Sequence, residues 1–353
     1  MLHNLDRNQP RYFRAISEYQ KDIKEVSISL DVDETLPTYV NTISELGKIN
    51  LICKHLNFCS PCLEAFATKV QPVSETEPVI VPLKERKAVK VFEFKVKVSS
   101  DTNVCHISDI LHLSDARMLL VDFGNYKIKL FGQNYKCQES TKFQELPWSA
   151  CLLSNTEVAV TIPVQKTIQI IEIKDKMRNK REITTRFQCW GIAIVKDQFV
   201  ITTSGHIILI LDMHGNEIKT VWTDTCHSEK QLTPRFIKTD PTNSALYISY
   251  ETAHKFVAYS MTWDALFTYR NQDLKTAAGI NIDREGNIYL CGYTSHCVQQ
   301  ISAEGKIIKT LLSTKEENKQ PLNITFCSDN ERFFLTYGSC NVVEVYELQF
   351  SEM

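Results

Sequence analysis

One pattern of turns and short apolar strands recurs six times between residues 107 and 348. The clearest copy, AAGINIDREGNIYLCGYTSHCVQQISAEGKIIKTL (277–311), alternates strand-like segments with polar or glycine-containing turns. The copies begin at Ile107, Pro147, Cys189, Pro234, Ala277 and Pro321, so they are 40, 42, 45, 43 and 44 residues apart. A period of about 40 to 45 residues with about four strands per copy is typical of β-propeller blades. The repeat therefore predicts an all-β, six-bladed propeller.

The two ends of the repeat region predict how the ring of blades closes. The last copy ends at Leu348 after three strands, one strand short of a complete blade. Before the first copy, KVFEFKVKV (90–98) places charged and apolar residues on alternate faces, as a half-buried strand does. We therefore predict that 90–98 supplies the outer strand of the last blade. The propeller domain is then 88–350.

Several segments of the repeat resemble NHL repeats, most closely those of tripartite-motif (TRIM-NHL) proteins. They are VDFGNYKIKLF (121–131), CWGIAI (189–194) and AAGINIDREGNIYLCGYTSH (277–296). The resemblance covers 88–350, although only Gly191 and Gly279 keep the glycine that the family has as the third residue of each repeat. The replacements are Asp109, Ser149, Phe236 and Asn323. The resemblance implies a non-catalytic module that recruits a substrate or partner in ubiquitin-ligase-linked regulation.

Residues 1–70 are predicted to form a helical segment that includes a Cys/His-rich stretch. Within 12–30, apolar residues recur at gaps of four and three, as in a coiled-coil seam; they are Tyr12, Ile16, Tyr19, Ile23 and Val26. Two heptads are too short for a stable coil alone, so homo-oligomer formation and packing on the propeller both stay open. The segment resembles the end of the TRIM coiled coil. Residues 71–87 contain three prolines and mixed charge, which is typical of a linker.

The stretch ICKHLNFCSPC (52–62) carries zinc-binding residue types at Cys53, His55, Cys59 and Cys62. It resembles the middle of a RING finger, the ubiquitin-ligase module of tripartite-motif proteins. In a RING the two pairs bind different zinc ions, and each pair needs a second pair of ligands. No Cys or His lies between His3 and Cys53 or between Cys62 and Cys105. We therefore predict an incomplete RING and no cofactor, with one four-residue zinc site as the alternative.

Overall charge and cysteine usage limit the classes of partner and compartment. The formal net charge of -2 gives no overall attraction to nucleic acid or to an anionic membrane. Twelve cysteines occur in a chain without an apolar segment of signal-peptide or membrane-spanning length. These features indicate reduced thiols, a cytoplasmic location and no membrane partner.

One face of the predicted propeller concentrates aromatic and basic residues. In a propeller, the loops before each innermost strand share a face with the loops between the second and third strands. These loops carry Trp148, Trp190 and Arg235 at the mouth of the channel, with Lys127, Lys166, Lys255, His254 and His296 around it. Trp and Arg are enriched at protein-interface hot spots, so we predict a protein partner at this face. A purely structural role, with both tryptophans filling the channel, stays open.

Two further functions are weighed against a protein-binding module. The same tryptophans and basic residues suit single-stranded RNA, which stacks on aromatic rings, so RNA binding in post-transcriptional regulation is the alternative. A metal-dependent propeller hydrolase or lyase would need inward-facing carboxylate, amide or imidazole groups in the channel. The candidates Asp109, His112, Asn281 and Asn323 do not recur as a set. The sequence therefore predicts a protein that is not an enzyme.

Overall fold

The computed structural model describes residues 86–204, 207–223, 234–314, 319–327 and 331–350. These residues form six antiparallel sheets of four strands each, which confirms the predicted all-β, six-bladed propeller. No helix within the described ranges is long and apolar enough to span a membrane. Outside those ranges lie residues 1–85, which include the predicted coiled coil, most of the linker, and Cys53, His55, Cys59 and Cys62.

The first three blades each consist of four strands in sequence order from the channel outward. Blade 1 contains β2 (Ile107–His112), β3 (Met118–Asp122), β4 (Lys127–Phe131) and β5 (Cys137–Lys142). Blade 2 contains β6 (Ala150–Ser154), β7 (Glu157–Ile162), β8 (Thr167–Ile173) and β9 (Met177–Thr184). Blade 3 contains β10 (Cys189–Val195), β11 (Gln198–Thr203), β12 (Ile207–Asp212) and β13 (Glu217–Trp222).

The remaining blades follow the same order, except that the sixth takes its outer strand from the other end of the repeat region. Blade 4 contains β14 (Pro234–Thr239), β15 (Ala245–Tyr250), β16 (Lys255–Ser260) and β17 (Ala265–Arg270). Blade 5 contains β18 (Ala277–Ile282), β19 (Ile288–Gly292), β20 (Cys297–Ile301) and β21 (Ile307–Ser313). Blade 6 contains β22 (Pro321–Phe326), β23 (Arg332–Tyr337), β24 (Val342–Phe350) and β1 (Arg86–Lys95).

Strand β1 closes the ring by pairing antiparallel with β24, with Arg86 opposite Phe350. The strand expected at 90–98 thus begins four residues earlier and ends at Lys95. Its Phe94 side chain is buried, and the Phe94 ring lies 5.7 Å from the Phe131 ring of blade 1. The pairing of β1 with β24 therefore completes the sheet of blade 6, and the Phe94–Phe131 contact packs that blade against blade 1.

The core lies between the faces of adjacent blades. The second and third strands of a blade are covered on both faces, so β3 and β15 are buried throughout their length. Their apolar residues run continuously instead of alternating, as in other strands buried on both faces. The outermost strands contact a neighbour less completely, and β13 keeps its first three residues exposed. This difference explains why the sequence shows two kinds of strand pattern within one repeat.

Gly279 occupies a position where the innermost strands of two blades approach closely. A Cβ atom added there would lie 2.5 Å from Asn323 Cα and 2.7 Å from Leu322 O. Because these are backbone contacts, a side-chain rotation does not relieve them. The glycine is therefore required by the approach of blade 5 to blade 6.

We expect Gly279→Ala to lower the free energy of unfolding by about 1–3 kcal/mol, the usual cost of overpacking a close-packed contact. Urea unfolding followed by circular dichroism measures the change. Gly132→Ala is the matched control, because its added Cβ would meet first the flexible amide end of Gln138. Equal effects of the two substitutions would contradict the close approach at Gly279.

Candidate partner-binding face

The mouth face consists of the loops before each innermost strand together with the turns between second and third strands. Because successive strands of a blade run antiparallel, these segments lie on one side of the propeller. The turns are 123–126, 163–166, 251–254, 293–296 and 338–341. Four of these turns have a residue with positive φ immediately before the third strand. They are Tyr126 (φ 59), Lys166 (φ 57), His254 (φ 52) and His296 (φ 53). Three predicted site residues thus occupy one repeated turn position.

Trp148 fills the channel at the centre of the mouth face and is only 4% exposed. Its ring lies 5.2 Å from the Trp190 ring in a T-shaped arrangement, and 5.6 Å from the Phe236 ring. Its indole Nε1 donates a hydrogen bond to Arg235 O at 3.2 Å. Trp148 therefore belongs to the core. Its burial agrees with the structural role in the channel that the sequence left open, and not with an exposed partner-binding residue.

Arg235 lies over both tryptophans and is half-buried. Its guanidinium carbon is 4.3 Å from the centroid of the Trp190 ring and 4.9 Å from that of Trp148. Its Nε lies 2.7 Å from Glu251 Oε2, across an ion pair whose side chains are both about one-quarter exposed. A cation–π contact of this kind contributes about 0.5–2 kcal/mol. The two rings and the ion pair thus restrict the guanidinium, although Arg235 Nε makes no hydrogen bond of suitable geometry among the described residues.

One polar group of Trp190 has no partner in the part of the chain that the structure describes. Its Nε1 atom is buried and finds no hydrogen-bond acceptor among the residues that the structure describes. Leaving a buried donor unpaired costs about 1–3 kcal/mol, and most such groups in folded proteins are satisfied. An acceptor supplied from outside the chain would remove this cost.

Two predicted face residues are buried lysines, which corrects the expectation that they present charge to a ligand. Lys127 is 5% exposed, and its Nζ donates to Asp101 Oδ1 at 2.7 Å and to Ser100 O at 2.8 Å. Lys255 is 2% exposed, with Nζ at 5.5 Å from the centroid of the Tyr250 ring. The loop before β2 folds over Lys127, and that contact is not apparent from a local sequence pattern.

The three remaining predicted residues lie at the outer part of the mouth face. Lys166 and His254 are exposed, and His296 is half-buried. His254 Nδ1 accepts a hydrogen bond from Thr276 N at 2.7 Å, which leaves Nε2 as the protonated nitrogen of the neutral ring. The structure therefore does not assemble the eight predicted residues into one basic patch.

The channel below Trp148 contains a polar network that joins two of the inward-facing candidates from the sequence, Asp109 and Asn323, to Ser149 and Lys238. Asp109 Oδ2 accepts from Ser149 Oγ at 2.8 Å, and Asp109 Oδ1 accepts from Asn323 Nδ2 at 2.9 Å. Lys238, from blade 4, reaches within 3.6 Å of the same carboxylate. Two of the residues that replace the family glycine, Ser149 and Asn323, are thus hydrogen-bonded to the carboxylate of a third, Asp109. The signal in the sequence was that these residues occupy the same position in their repeats.

A second buried network lies in blade 1, where Asp101, Cys105 and Asp122 bring three metal-ligand atoms within 4.8 Å of one another. The ammonium group of Lys129 occupies the middle of this group. Its Nζ donates to both carboxylates at 2.6 Å and lies 3.4 Å from Cys105 Sγ. Burial raises the pKa of the Cys105 thiol to about 12. A lysine, rather than a metal ion, thus supplies the positive charge here.

Comparison with protein-family models gives no match, and comparison with curated proteins gives none. Solved structures do resemble the chain. A catalytically inactive variant of virginiamycin B lyase from Staphylococcus aureus, with quinupristin, has a TM-score of 0.56 and 13% identity, over 73% of this chain and 99% of that one. A streptogramin B lyase has a TM-score of 0.56 and 16% identity, over 73% and 87%.

The β-propeller domain of Cps50 (Swd1) from Myceliophteria thermophila has a TM-score of 0.54 and 9% identity, over 69% of this chain and 84% of that one. The resemblance therefore joins proteins with different descriptions, a lyase and a Swd1 propeller domain. Identities this low show the propeller fold alone, because one fold supports many functions.

Proposed function

We propose that the propeller is a non-catalytic protein-interaction module of the TRIM-NHL type, and that it binds a protein partner through the mouth face. The observation that carries the proposal is the pairing of Trp190 with Arg235. Both residues are partly exposed, and Arg235 is fixed by Glu251 and by the two rings beneath it. Trp and Arg anchors held in one geometry bind with little loss of side-chain entropy.

The wider biological role follows from the family resemblance of the repeats. The module recruits a substrate or partner in ubiquitin-ligase-linked regulation in the cytoplasm. The helix expected at 12–30 pairs two copies of the chain or docks a partner, a role that rests on its apolar seam alone.

Burial of the cations favours a protein partner over RNA. Lys127 and Lys255 are buried and Arg235 is paired with Glu251, so much of the predicted basic charge is neutralised or covered. The buried ring of Trp148 offers no free surface on which a base can stack. RNA recognition needs both features, so the RNA alternative loses its main support.

The enzyme alternative gains little from the channel. The inward carboxylate of Asp109 is already engaged by Ser149, Asn323 and the backbone amide of Ala150. The lyases among the similar structures support only the fold, at 13% and 16% identity. A non-catalytic role therefore remains the proposal.

We expect Trp190→Ala and Arg235→Ala to weaken partner binding at least about 30-fold, equivalent to the hot-spot threshold of about 2 kcal/mol. The test captures proteins from a cell extract with the full chain and compares amounts by quantitative mass spectrometry. Leu266→Ala, an exposed residue of the outer strand β17, is the control. Thermal unfolding of each variant separates lost binding from lost folding.

A parallel titration with single-stranded oligouridylate at two salt concentrations tests the RNA alternative. We expect weak binding that Lys166→Ala does not change. Tight, salt-dependent binding that Arg235→Ala abolishes would instead favour RNA. Retention of every captured protein by both mouth variants would reject the proposed face.

A further inference from the structure

Among the residues that the structure describes, the exposed large hydrophobic residues of the mouth-face loops lie in blades 1 and 2. They are Val104 (42% exposed) in the loop before β2, Tyr126 (37%) in the turn before β4, and Val164 (48%) in the turn before β8. The turns of blades 4, 5 and 6 read ETAH, YTSH and GSCN, and none of their residues is an exposed large hydrophobic. We call Val104, Tyr126 and Val164 the apolar rim.

A row of aromatic rings crosses the mouth face from blade 1 to the Trp190–Arg235 pair. The ring centroids of His106 and Phe123 are 5.0 Å apart, those of Phe123 and Trp148 are 5.2 Å apart, and those of Trp148 and Trp190 are 5.2 Å apart. Burial holds the pKa of His106 below its ordinary value, so this imidazole is uncharged at neutral pH. The ends of the row are thus at most about 15 Å apart, a distance that about five residues of extended chain span.

The apolar rim borders this row. Tyr126 belongs to the same turn as Phe123, and its backbone N donates to Phe123 O at 3.4 Å. A Cβ atom added at Gly124 of that turn would lie 2.9 Å from Val104 O, so the loop of Val104 packs against the turn. Val164 lies in the corresponding turn of blade 2, whose last residue has the same positive φ as Tyr126. The rim and the row are therefore neighbours over blades 1 and 2.

We propose that the rim and the row bind an extended segment of the protein partner that carries apolar side chains and an acidic residue. Contiguous apolar surface on a folded protein marks interaction sites. Lys166, two positions after Val164, is exposed and has no ion-pair partner among the described residues, so an acidic side chain complements it. The inference rests on the proposed function, because it adds the chemical class of the partner.

The arrangement of the rings favours peptide side chains over nucleic-acid bases. Successive rings of the row meet at interplanar angles of 66°, 44° and 87°, so they contact one another through edges as well as faces. Trp148 is buried, and the guanidinium of Arg235 lies over the Trp190 ring. Bases need free ring faces on which to stack. Aliphatic side chains fill the spaces between tilted rings without that requirement.

The direct test selects random dodecapeptides displayed on phage against the full chain and measures a synthetic, fluorescein-labelled binder by fluorescence anisotropy. We expect the enriched peptides to combine apolar residues with an acidic one. The affinity should fall at least tenfold in Tyr126→Asn/Val164→Ser and about three- to fivefold in Lys166→Glu, the range of an exposed ion pair. The control is Leu266→Ser/Ile307→Ser, two exposed hydrophobic residues of outer strands, which should leave the affinity unchanged.

Thermal unfolding checks that each variant is folded. The inference is overturned if no peptide family is enriched, if the enriched peptides are basic or lack apolar residues, or if folded Tyr126→Asn/Val164→Ser or Lys166→Glu binds as tightly as wild type. Displacement of the peptide by oligouridylate at equal concentration would assign the surface to nucleic acid and also overturn it.

Partner capture from a cell extract separates this inference from the proposed function. Tyr126→Asn/Val164→Ser is expected to reduce capture at least tenfold. If capture depends on Trp190 but not on the apolar rim, this inference fails while the proposed function stands. If the peptide binds at the rim but Trp190→Ala and Arg235→Ala leave capture unchanged, the proposed function fails instead.

Discussion

Replacing Lys129 by methionine is expected to lower the free energy of unfolding by about 3–5 kcal/mol, the cost of breaking a buried ion pair by removing one partner. The Lys129 side chain is fully buried, and its ammonium group donates to Asp101 and Asp122 at 2.6 Å each. Burial alone would lower the pKa of Lys129, but the hydrogen bonds to the two carboxylates outweigh burial and raise it. Methionine fills a similar volume without a charge, so both carboxylates lose a partner.

Urea unfolding at neutral pH measures this loss, with Lys166→Met as an exposed control of the same chemistry. If Lys129→Met fails to fold, the same unfolding measurement is made on the double variant Lys129→Met/Asp122→Asn. This variant removes one of the two carboxylate charges that lose their partner. We expect the double variant to be more stable than Lys129→Met alone. A loss below about 1 kcal/mol in Lys129→Met would show that the network contributes no more than an exposed pair.

Glu344→Gln is expected to lower the free energy of unfolding by about 3 kcal/mol at neutral pH and by progressively less in acid. The size follows from the pKa shift of Glu344. The Glu344 carboxylate is buried in blade 6 and accepts hydrogen bonds from Tyr346 Oη at 2.7 Å, Lys90 Nζ at 2.7 Å and Lys319 Nζ at 3.0 Å, as well as from Tyr337 Oη. Burial alone would raise the pKa of Glu344, but these hydrogen bonds lower it from 4.5 to about 2. One pKa unit corresponds to about 1.4 kcal/mol, which gives the expected size.

The direction of the pH dependence follows from the depressed pKa. The contribution of the charged carboxylate is fully present above pH 4.5, the ordinary pKa of Glu344, and is lost as the pH falls toward about 2. The stability difference between wild type and Glu344→Gln should therefore shrink across that interval. Urea unfolding at a series of pH values measures it, with the exposed Glu182→Gln as control. A difference that stays constant from neutral pH down to the depressed pKa would contradict this role of the carboxylate.

The architecture was predictable because each blade repeats a local pattern. Strand alternation, turn residues and a period of about 43 residues depend on neighbours within one copy, so they can be read without knowing the fold. The closing strand was predictable for a related reason, since the last copy lacks one strand and 90–98 has the pattern to supply it. Only its bounds differ, because the pairing of Arg86 with Phe350 extends β1 toward the N-terminus.

The burial and the polar partners of the site residues were less predictable, because both depend on contacts between distant parts of the chain. Lys127 is covered by Asp101, which lies in the loop between blades 6 and 1. Asp109 meets Lys238 only because blades 1 and 4 face each other across the channel. A loop position suggests exposure for Trp148, yet the neighbouring rings bury it. Sequence reasoning located the mouth face without indicating which of its residues reach the solvent.

The pairing of β1 with β24 also sets the order in which the protein is completed during synthesis. Lys90 and Glu344, which join these strands, are 254 positions apart. At about 5–20 residues per second, the ribosome makes roughly 250 residues in about 10–50 s. For that interval β1 has no sheet partner, and the surface that buries Phe94 is incomplete. The first strand of the propeller to leave the ribosome is thus among the last to be paired.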